Sequence, residues 1–355
     1  MPILDKIKQL WPFNNYIRMK SVGFDHALPI SSPNVFFEKN VLKPKPKKGE
    51  ILVKVVASAI NPVDIKMRLN YHNPGEFRIL GFDAVGYVED IGQDVDTFSI
   101  GDKVFYAGQQ ITNGALSEYQ TVKASLVGHA PLSLKNHEIA AMPLTSITAF
   151  EIMNEAFNLE VRSNIAEKKT ILIINGAGGV GSILIQLAKY MGMTVVTTAS
   201  QARSVSWVKN LGADYILDYH QNLEKQLKNI QHESVDYVAI LHDTSAYFDF
   251  AARIIKPFGR ITSIVDTKVP IDIGPLKNIG AQFNWVFMFA KGNFEINMQS
   301  QGKALNNIAE LIDLGVIQST VTKTLKGLSA DNVIQATKMI EDGHNIGKVV
   351  IDYED

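Results

Sequence analysis

The sequence predicts an α/β protein that combines a doubly wound parallel sheet with a second, β-rich domain. Three observations carry this prediction. A strand, a glycine turn and a helix follow one another at 171–191. From about 135 to 290, apolar strand runs alternate with helical patterns, as in a parallel sheet covered by helices. Before residue 130, short strand-like runs are separated by Pro, Gly, Asn and Asp.

The length of 355 residues favours two domains. An extension over 1–18 precedes them, and we consider two alternatives for it, an unstructured terminus or a docking helix. The first domain is predicted over 19–132 and is completed by 291–355, because that last segment is too short to form a domain of its own. The second domain is predicted over 133–290.

The first domain is predicted to be all-β, with a helix and a final strand contributed by the C-terminal segment. The strand candidates before residue 130 are Ile51–Ala57, Gly86–Ile91, Lys103–Tyr106 and Leu116–Val122. The C-terminal segment shows a helical pattern around Lys303–Leu314 and a strand-like run at Gly347–Asp352.

The second domain is predicted to contain a six-stranded parallel sheet. Six strands are the number that a complete dinucleotide-binding sheet requires. The candidates are Thr170–Asn175, Thr194–Ala199, Asp214–Asp218, Val235–Leu241, Gly259–Val265 and Ala281–Phe289.

The glycine turn is the strongest functional signal in the chain. Gly176, Gly178 and Gly181 have the spacing G-x-G-x-x-G between an apolar strand and an amphipathic helix. Glycines let the backbone approach a dinucleotide pyrophosphate, and the helix N-terminus offers free N–H groups and a positive dipole end. The context on both sides therefore predicts a nicotinamide or flavin cofactor, and with it redox chemistry.

Composition excludes several other classes of protein. The formal net charge is −1, which gives no indication of binding to nucleic acid or to an anionic membrane. Cysteine is absent, which rules out disulfides, catalytic thiols and thiolate zinc sites. No apolar run approaches the roughly 18 residues of a membrane span. Because no secretion signal is recognisable, we expect a cytoplasmic protein.

The turn after the second strand of the parallel sheet predicts NADP rather than NAD. An acid at this position would bond the ribose 2′-OH and repel a 2′-phosphate. Here the strand leads into Ser200, Gln201, Ala202 and Arg203, with no acid. Ser200 can donate a hydrogen bond to a phosphate, and Arg203 supplies positive charge. Ser200 can also be the N-cap of a helix and Arg203 a surface residue, and the two interpretations can hold at once.

Several motifs together resemble the medium-chain dehydrogenase/reductase superfamily. The pattern G-x-V…G…V…F…G-D-x-V is matched from Gly86 to Val104. Asn61-Pro-Val-Asp64, Gly114–Tyr119 and the segment from Leu144 to Ala149 fall in the family's order around it. The resemblance covers the chain from Met19 onward. It implies a GroES-like β domain plus a Rossmann doubly wound parallel six-stranded sheet.

Two departures from the family pattern point to its zinc-free, quinone oxidoreductase-like branch, which includes bacterial proteins called zinc-type alcohol dehydrogenase-like. Zinc alcohol dehydrogenases carry a cysteine where Asn61 stands and a His-Glu pair where this chain has Phe82-Asp83. Their four-cysteine lobe for structural zinc is also missing. The histidines show no spacing typical of metal ligands, so we expect no metal.

The resemblance implies residues for both sides of the site. On the catalytic side, Asn61 would bond the nicotinamide ribose or the substrate oxygen. Asp64 would orient a proton relay or, equally, serve as a turn and helix cap. Tyr106 would face the pocket as a donor or lie in the core. Phe82 would make the pocket apolar.

On the cofactor side, the glycine turn would hold the pyrophosphate, and further residues would line the nicotinamide and adenosine halves. Phe287 belongs to an aromatic-rich run that we predict to be a buried strand, and Lys348 approaches the cofactor or is simply a charge at the end of a strand. The implied set is Thr148, Gly176, Gly178, Gly179, Val180, Gly181, Ser200, Arg203, Tyr219, Val265, Phe287 and Lys348.

Chemistry without a metal favours reduction of an electrophilic acceptor over oxidation of a simple alcohol. Nothing would lower the pKa of an alcohol hydroxyl, whereas quinones and α,β-unsaturated carbonyls accept hydride readily. The sequence therefore predicts an NADPH-dependent quinone or enone reductase that acts on a small molecule, expected from the branch to be a homodimer. The alternatives are a metal-dependent alcohol dehydrogenase with oxygen and nitrogen ligands, and a non-catalytic NADPH-binding sensor.

Overall fold

The computed structural model describes residues 17–343 and 345–354. The predicted extension therefore lies almost wholly outside the described residues, and the first strand begins at Arg18. In chain order, the strands are β1 (Arg18–Gly23), β2 (Phe37–Leu42), β3 (Glu50–Ile60), β4 (Asp83–Ile91), β5 (Lys103–Tyr106), β6 (Tyr119–Lys123), β7 (Val127–His129), β8 (Thr170–Ile174), β9 (Thr194–Thr198), β10 (Tyr215–Leu217), β11 (Val235–Ile240), β12 (Ile255–Ser263), β13 (Gln282–Trp285), β14 (Val321–Lys326) and β15 (Lys348–Asp352).

Helices cover the parallel sheet and close the ends of the β-rich part. They are α1 (Pro62–Leu69), α2 (Asn136–Ala140), α3 (Pro143–Glu151), α4 (Gly179–Tyr190), α5 (Ala202–Asn210), α6 (Leu223–Asn229), α7 (Thr244–Ile254), α8 (Gly274–Lys277), α9 (Phe289–Phe294), α10 (Gln299–Asp313) and α11 (Ala330–Glu341). A π-helical turn over Ile152–Ala156 extends α3. Within the described residues, no helix is long and apolar enough to cross a membrane.

The Rossmann sheet is parallel and six-stranded, as predicted. Its order is β10-β9-β8-β11-β12-β13, so the strand before the glycine turn, β8, lies next to the point where the order reverses. All five residues of β8 are buried, which explains why the sequence there is continuously apolar rather than alternating. Ligands bind at the carboxyl ends of the strands at such a reversal point.

The GroES-like part is built around a mostly antiparallel seven-stranded sheet. Its order is β14-β15-β3-β4-β5-β7, and β6 pairs with β3 off this path. The last strand, β15, pairs antiparallel with β3, so the C-terminal segment contributes a strand to this sheet. A two-stranded sheet of β1 and β2 lies beside it.

Two predicted elements differ from the structure. The region before residue 130 is not all-β, because Asn61-Pro-Val-Asp64 starts helix α1 with Pro62 at its first position. The aromatic-rich run 281–289 is a strand only over Gln282–Trp285, and helix α9 begins at Phe289. Trp285 and Phe287 are half-exposed, so the run is not an ordinary buried strand.

Candidate active site

One cavity of about 1180 Å³ lies between the two sheets, at the carboxyl ends of β8 and its neighbours. Its cofactor side is lined by the glycine turn and by Thr148 and Val265. Its other side is lined by residues of the GroES-like part, from the start of α1 and from the loops at 70–80 and 110–113. The volume slightly exceeds the usual range for small-molecule sites, about 300–1,000 Å³.

The glycine turn shows two distinct reasons for glycine. A Cβ on Gly176 would lie 1.9 Å from Thr197 Oγ1, and one on Gly181 would lie 2.4 Å from the carbonyl oxygen of Asn175. These two positions therefore need glycine for packing within the protein. Gly178, the N-cap of α4, lines the cavity itself. The Gly178 amide donates to the carbonyl oxygen of Asn175 at 3.2 Å. The first N–H groups of α4, which follow it, have no intrahelical acceptor and can face an anionic ligand.

The C-terminal strand is tied directly to this turn. The amide of Gly347 donates to the carbonyl oxygen of Ala177 at 2.9 Å. This contact brings Lys348, the next residue, to the wall of the cavity. The strand that completes the GroES-like sheet thus also builds part of the dinucleotide cradle.

Asn61, Asp83 and Lys348 form a buried polar cluster at the base of the cavity. Lys348 Nζ lies 2.8 Å from Asp83 Oδ2 and 3.3 Å from the carbonyl oxygen of Ile60, and it also donates to Asn61 Oδ1. Asn61 Nδ2 donates to Asp83 Oδ2 at 2.8 Å. Because lysine only donates and a carboxylate only accepts, these partners determine which way the Asn61 amide points.

The Lys348 side chain is therefore not a plain charge at the end of a strand. Its three N–H groups have three protein acceptors, and its exposed fraction is only 3%. Asn61 keeps one Nδ2–H that no partner within the described residues uses. Asp83 Oδ1 accepts from the amide of Leu144 at 2.6 Å. The cluster is fully connected and leaves one donor, on Asn61.

Asp64 lies behind this cluster and acts as a helix cap. Its Oδ2 accepts from the backbone amide of Asn61 at 2.8 Å, and its Oδ1 accepts from that of Gly81 at 2.8 Å. Burial raises the pKa of the Asp64 carboxyl to about 7, although both backbone hydrogen bonds act in the opposite direction. The side chain is buried and does not line the cavity. Of the two alternatives from the sequence, the geometry favours the cap.

Tyr106 and Phe82 do not line the cavity. For Tyr106 the structure favours the alternative of a core position, and for Phe82 it corrects the expectation that its ring makes the pocket apolar. Tyr106 is 1% exposed within the core of the GroES-like sheet, and burial raises the pKa of its hydroxyl. Phe82 is 2% exposed, and its ring packs edge-on against Phe289, with 5.0 Å between the centroids. It is Phe289 that presents an apolar surface to the cavity. The position of a residue along a strand does not predict whether its side chain faces the cavity or the core.

Thr148, Val265 and Phe287 do line the cavity, as the resemblance implies. The Thr148 hydroxyl donates to the carbonyl oxygen of Leu144 at 2.8 Å, so it is held by its own helix. The carbonyl oxygen of Val265 accepts from the Thr244 hydroxyl. Phe287 is 52% exposed, at the mouth of the cavity.

Ser200, Arg203 and Tyr219 lie at the carboxyl ends of β9 and β10, outside the cavity lining. The N-cap of α5 is Gln201, which corrects the alternative that Ser200 caps the helix. The Ser200 hydroxyl is buried and has no partner within the described residues. Arg203 is exposed in the first turn of α5. The ring of Tyr219 lies tilted against that of His220, with 4.5 Å between the ring centroids.

The buried hydroxyl of Ser200 and the sterically restricted glycine turn fit a dinucleotide. The residues at the base of the cavity do not fit zinc. Asp83 is already bound to an ammonium group, Asn61 offers an amide, and neither is accompanied by histidine or cysteine. Across the described part of the chain, no group of three or more His, Cys, Asp or Glu residues is arranged to hold a metal ion.

Comparison with known proteins identifies the family. The alcohol dehydrogenase GroES-like domain matches residues 47–132, and the zinc-binding dehydrogenase family matches residues 179–294. A zinc-type alcohol dehydrogenase-like protein from Staphylococcus epidermidis is 38% identical over 334 residues, which cover 94% of this chain and 99% of the relative.

Two solved structures extend the likeness to the whole fold. A protein from Rhizobium etli, provisionally assigned as a zinc-dependent alcohol dehydrogenase, has a TM-score of 0.89 at 35% identity and covers 95% of this chain and 98% of its own. The quinone oxidoreductase from Coxiella burnetii has a TM-score of 0.79 at 27% identity, with coverage of 95% and 99%.

The fold and the dinucleotide cradle define an oxidoreductase with a GroES-like and a Rossmann part. The chain belongs to the medium-chain dehydrogenase/reductase superfamily, in its quinone oxidoreductase-like branch. This membership supports a nicotinamide cofactor and a small-molecule substrate.

Sequence reasoning missed Asp83 as a site residue. Asp83 was recognised only as the residue that stands where relatives carry a metal ligand. The available signal was a single acid at the start of an otherwise apolar strand, Phe82-Asp83-Ala84-Val85. Such an acid is almost never fully buried unless it has a partner. The structure shows that the partner is Lys348, 265 positions later in the chain.

Proposed function

We propose that this chain is an NADPH-dependent reductase that transfers hydride to a quinone or an α,β-unsaturated carbonyl acceptor without zinc. The observation that carries the proposal is the buried cluster of Asn61, Asp83 and Lys348. An ammonium group, an amide and a carboxylate satisfy one another at the base of the cavity. This arrangement offers a single neutral donor to a ligand in place of a Lewis acid.

NADPH, when bound in the cradle, supplies the hydride. The glycine turn lets the backbone approach the pyrophosphate, and the N-terminus of α4 stabilises its charge. Thr148 and Val265 border the nicotinamide half. The main contribution of the protein is to hold the nicotinamide and the acceptor against each other, which lowers the entropic cost of reaching the transition state.

Asn61 is assigned the role of the donor. Its remaining Nδ2–H is free to bond either the nicotinamide ribose or the acceptor oxygen, where negative charge develops during reduction. Lys348 and Asp83 are positioning residues, because they orient the Asn61 amide. The proton that completes the reduction comes from water at the mouth of the cavity. Asp64 takes no part in this scheme and serves as the cap of α1.

The preference for NADPH rests on Ser200 and Arg203. The Ser200 hydroxyl has no partner within the described residues. Rotation of this side chain towards the bound nucleotide would let the hydroxyl donate to a 2′-phosphate oxygen. Arg203, exposed in the first turn of α5, adds a positive charge near the Ser200 hydroxyl. Tyr219 is assigned to the adenosine side, at the end of β10.

The proposal is tested by measuring NADPH and NADH oxidation against a panel of quinones and enones. Parallel reactions contain a strong chelator, and the metal content of the purified protein is measured. We expect turnover with NADPH that the chelator does not change. Stoichiometric zinc required for activity would overturn the metal-free mechanism. Tight NADPH binding without turnover of any acceptor would favour the sensor.

The predicted homodimer belongs to the same proposal. Strand β13 is an edge of the Rossmann sheet, and its Trp285 is 52% exposed. Antiparallel pairing of two copies along β13 would satisfy the open edge and cover this ring. In the parallel pairing with β12 the amide of Val286 donates to Ser263, which leaves the amide of Trp285 on the open edge. Analytical ultracentrifugation of the wild-type protein and of Trp285→Pro tests this, with a shift to monomer expected in the variant.

A further inference from the structure

The acceptor end of the cavity contains a positively charged side chain that has no acidic partner among the described residues. Arg78 lines the cavity next to Phe24, Tyr71 and Phe77, on the side formed by the GroES-like part. Its backbone is fixed by two hydrogen bonds with Phe24, of 2.8 and 3.0 Å. These bonds fix the backbone from which the Arg78 side chain extends.

Only part of the Arg78 guanidinium is used by the protein. Nη2 donates to the carbonyl oxygens of Gln110 and Thr112, which holds the loop over the cavity. The Nη1 and Nε donors have no hydrogen-bond partner in the described part of the chain. They are also not among the fully buried polar atoms that lack a partner, so they are exposed to the cavity. Three N–H donors therefore remain accessible to a ligand.

The two lysines that line the same cavity, unlike Arg78, each form an ion pair. Lys348 is paired with Asp83 at 2.8 Å, and Lys66 lies 3.6 Å from Asp266 across the mouth of the cavity. Arg78 forms no ion pair within the described residues, although Glu76, which is exposed, precedes it by two positions. Burial lowers the pKa of the Arg78 guanidinium, with only Tyr71 acting in the opposite direction.

A half-buried cation without a counter-ion is costly unless a ligand supplies the opposite charge. We propose that Arg78 binds an anionic oxygen group on the acceptor, so that the preferred substrates are enones or quinones carrying a carboxylate or phosphate tail. The apolar rings of Phe24 and Phe77 contact the body of such an acceptor. This inference rests on the proposed reductase function and deepens it.

The first test compares an acceptor with a charged end and its uncharged counterpart. The probes are 7-oxonon-8-enoate and its methyl ester, which share one electrophilic head and one chain length. A charge-assisted hydrogen bond predicts that kcat/KM is about tenfold or more higher for the acid. In Arg78→Gln this preference falls to about unity, while the rate with the ester changes less. Raising the salt concentration lowers the rate for the acid alone.

A matched control removes another cation of the same cavity. Lys66→Gln keeps the preference for the acid, because Lys66 already has a carboxylate partner. Equal kcat/KM for acid and ester in the wild type would overturn the proposal, and so would an acid preference that survives in Arg78→Gln. Because Arg78 also holds the loop at Gln110 and Thr112, the ratio of the two substrates, and not the absolute rate, is the readout.

A binding experiment separates this inference from the reductase function. The saturated keto acid 7-oxononanoate and its methyl ester are titrated into wild type and Arg78→Gln by calorimetry, with NADP⁺ present and absent. We expect about tenfold or more tighter binding of the acid to the wild type only. This result would stand even if no acceptor were reduced. If the acid binds no better than the ester while quinones are turned over normally, the Arg78 site is refuted and the reductase function stands.

Discussion

Replacing Lys348 with methionine tests the buried cluster directly. The substitution removes the ammonium but leaves the Asp83 carboxylate fully buried, with Asn61 and the Leu144 amide as its remaining partners. Removing one member of a buried ion pair costs about 3–5 kcal/mol, because the other charge stays uncompensated. We therefore expect Lys348→Met to be strongly destabilised.

The size of the thermal effect follows from the length of the chain. With about 2.1 cal/mol/K of unfolding entropy per residue, 355 residues give about 0.75 kcal/mol/K. A loss of about 4 kcal/mol then lowers Tm by about 5 °C. If the GroES-like part unfolds as a separate unit, its own transition shifts further, because its unfolding entropy is smaller. Differential scanning calorimetry measures both cases.

Two companion variants make this prediction specific. Asp83→Asn combined with Lys348→Met removes both charges, and we expect it to regain at least half of the lost Tm, since no isolated charge remains. Lys48→Met removes a cation that lies 2.6 Å from Asp94 on the surface, where both side chains are mostly exposed. That pair contributes about 0–1 kcal/mol. A Tm loss in Lys348→Met no larger than in Lys48→Met would refute the reasoning.

Three further predictions concern single positions. Asp64→Asn gains stability relative to wild type as pH rises from about 4 to 7, by up to about 4 kcal/mol. The reason is that the pKa of Asp64 is raised to about 7, so the folded wild type retains a proton that its unfolded chain releases. Urea unfolding of both proteins at several pH values measures this difference, and parallel pH profiles would contradict it. Arg203→Ala weakens NADPH about tenfold or more and NADH little, by fluorescence titration; equal losses would show that Arg203 does not bind the 2′-phosphate. Gly181→Ala places a Cβ 2.4 Å from the Asn175 carbonyl oxygen and displaces the turn, so it abolishes tight binding of either nucleotide, and unchanged affinity would exclude this steric role.

The sequence predicts the Rossmann part well because its signals are local. Each strand run is apolar over consecutive residues, and each is followed by a helical pattern, so element type can be recognised without knowledge of tertiary contacts. The predicted starts of β8 at Thr170, β9 at Thr194 and β11 at Val235 agree with the structure. The number of strand runs then predicts a complete six-stranded sheet, with the glycine turn directly after its first strand.

The sequence predictions fail where tertiary packing decides which side chains face the cavity. Tyr106 and Phe287 both belong to strand-like aromatic runs, yet one is sealed in the core and the other lies exposed at the mouth of the cavity. A strand period of two residues predicts that neighbours face opposite sides, but not which side meets the cavity. The capping role of Asp64 was equally undecided, because Asn-Pro-x-Asp is compatible with a turn, a cap or a relay until Gly81 is seen beside it.

The register of one sheet explains how residues so far apart in the chain form the base of the cavity. In this sheet β3 is flanked by β15 and β4, and it runs antiparallel to both. Ile60 pairs with Val349, and Ala59 pairs with Asp83, so the end of β3 meets the start of each neighbour at the same edge. Asn61, Asp83 and Lys348 must therefore lie together once this pairing is fixed. A one-residue slip of β15 would turn Lys348 to the other face of the sheet and leave Asp83 unpaired, so the ion pair also favours the native register.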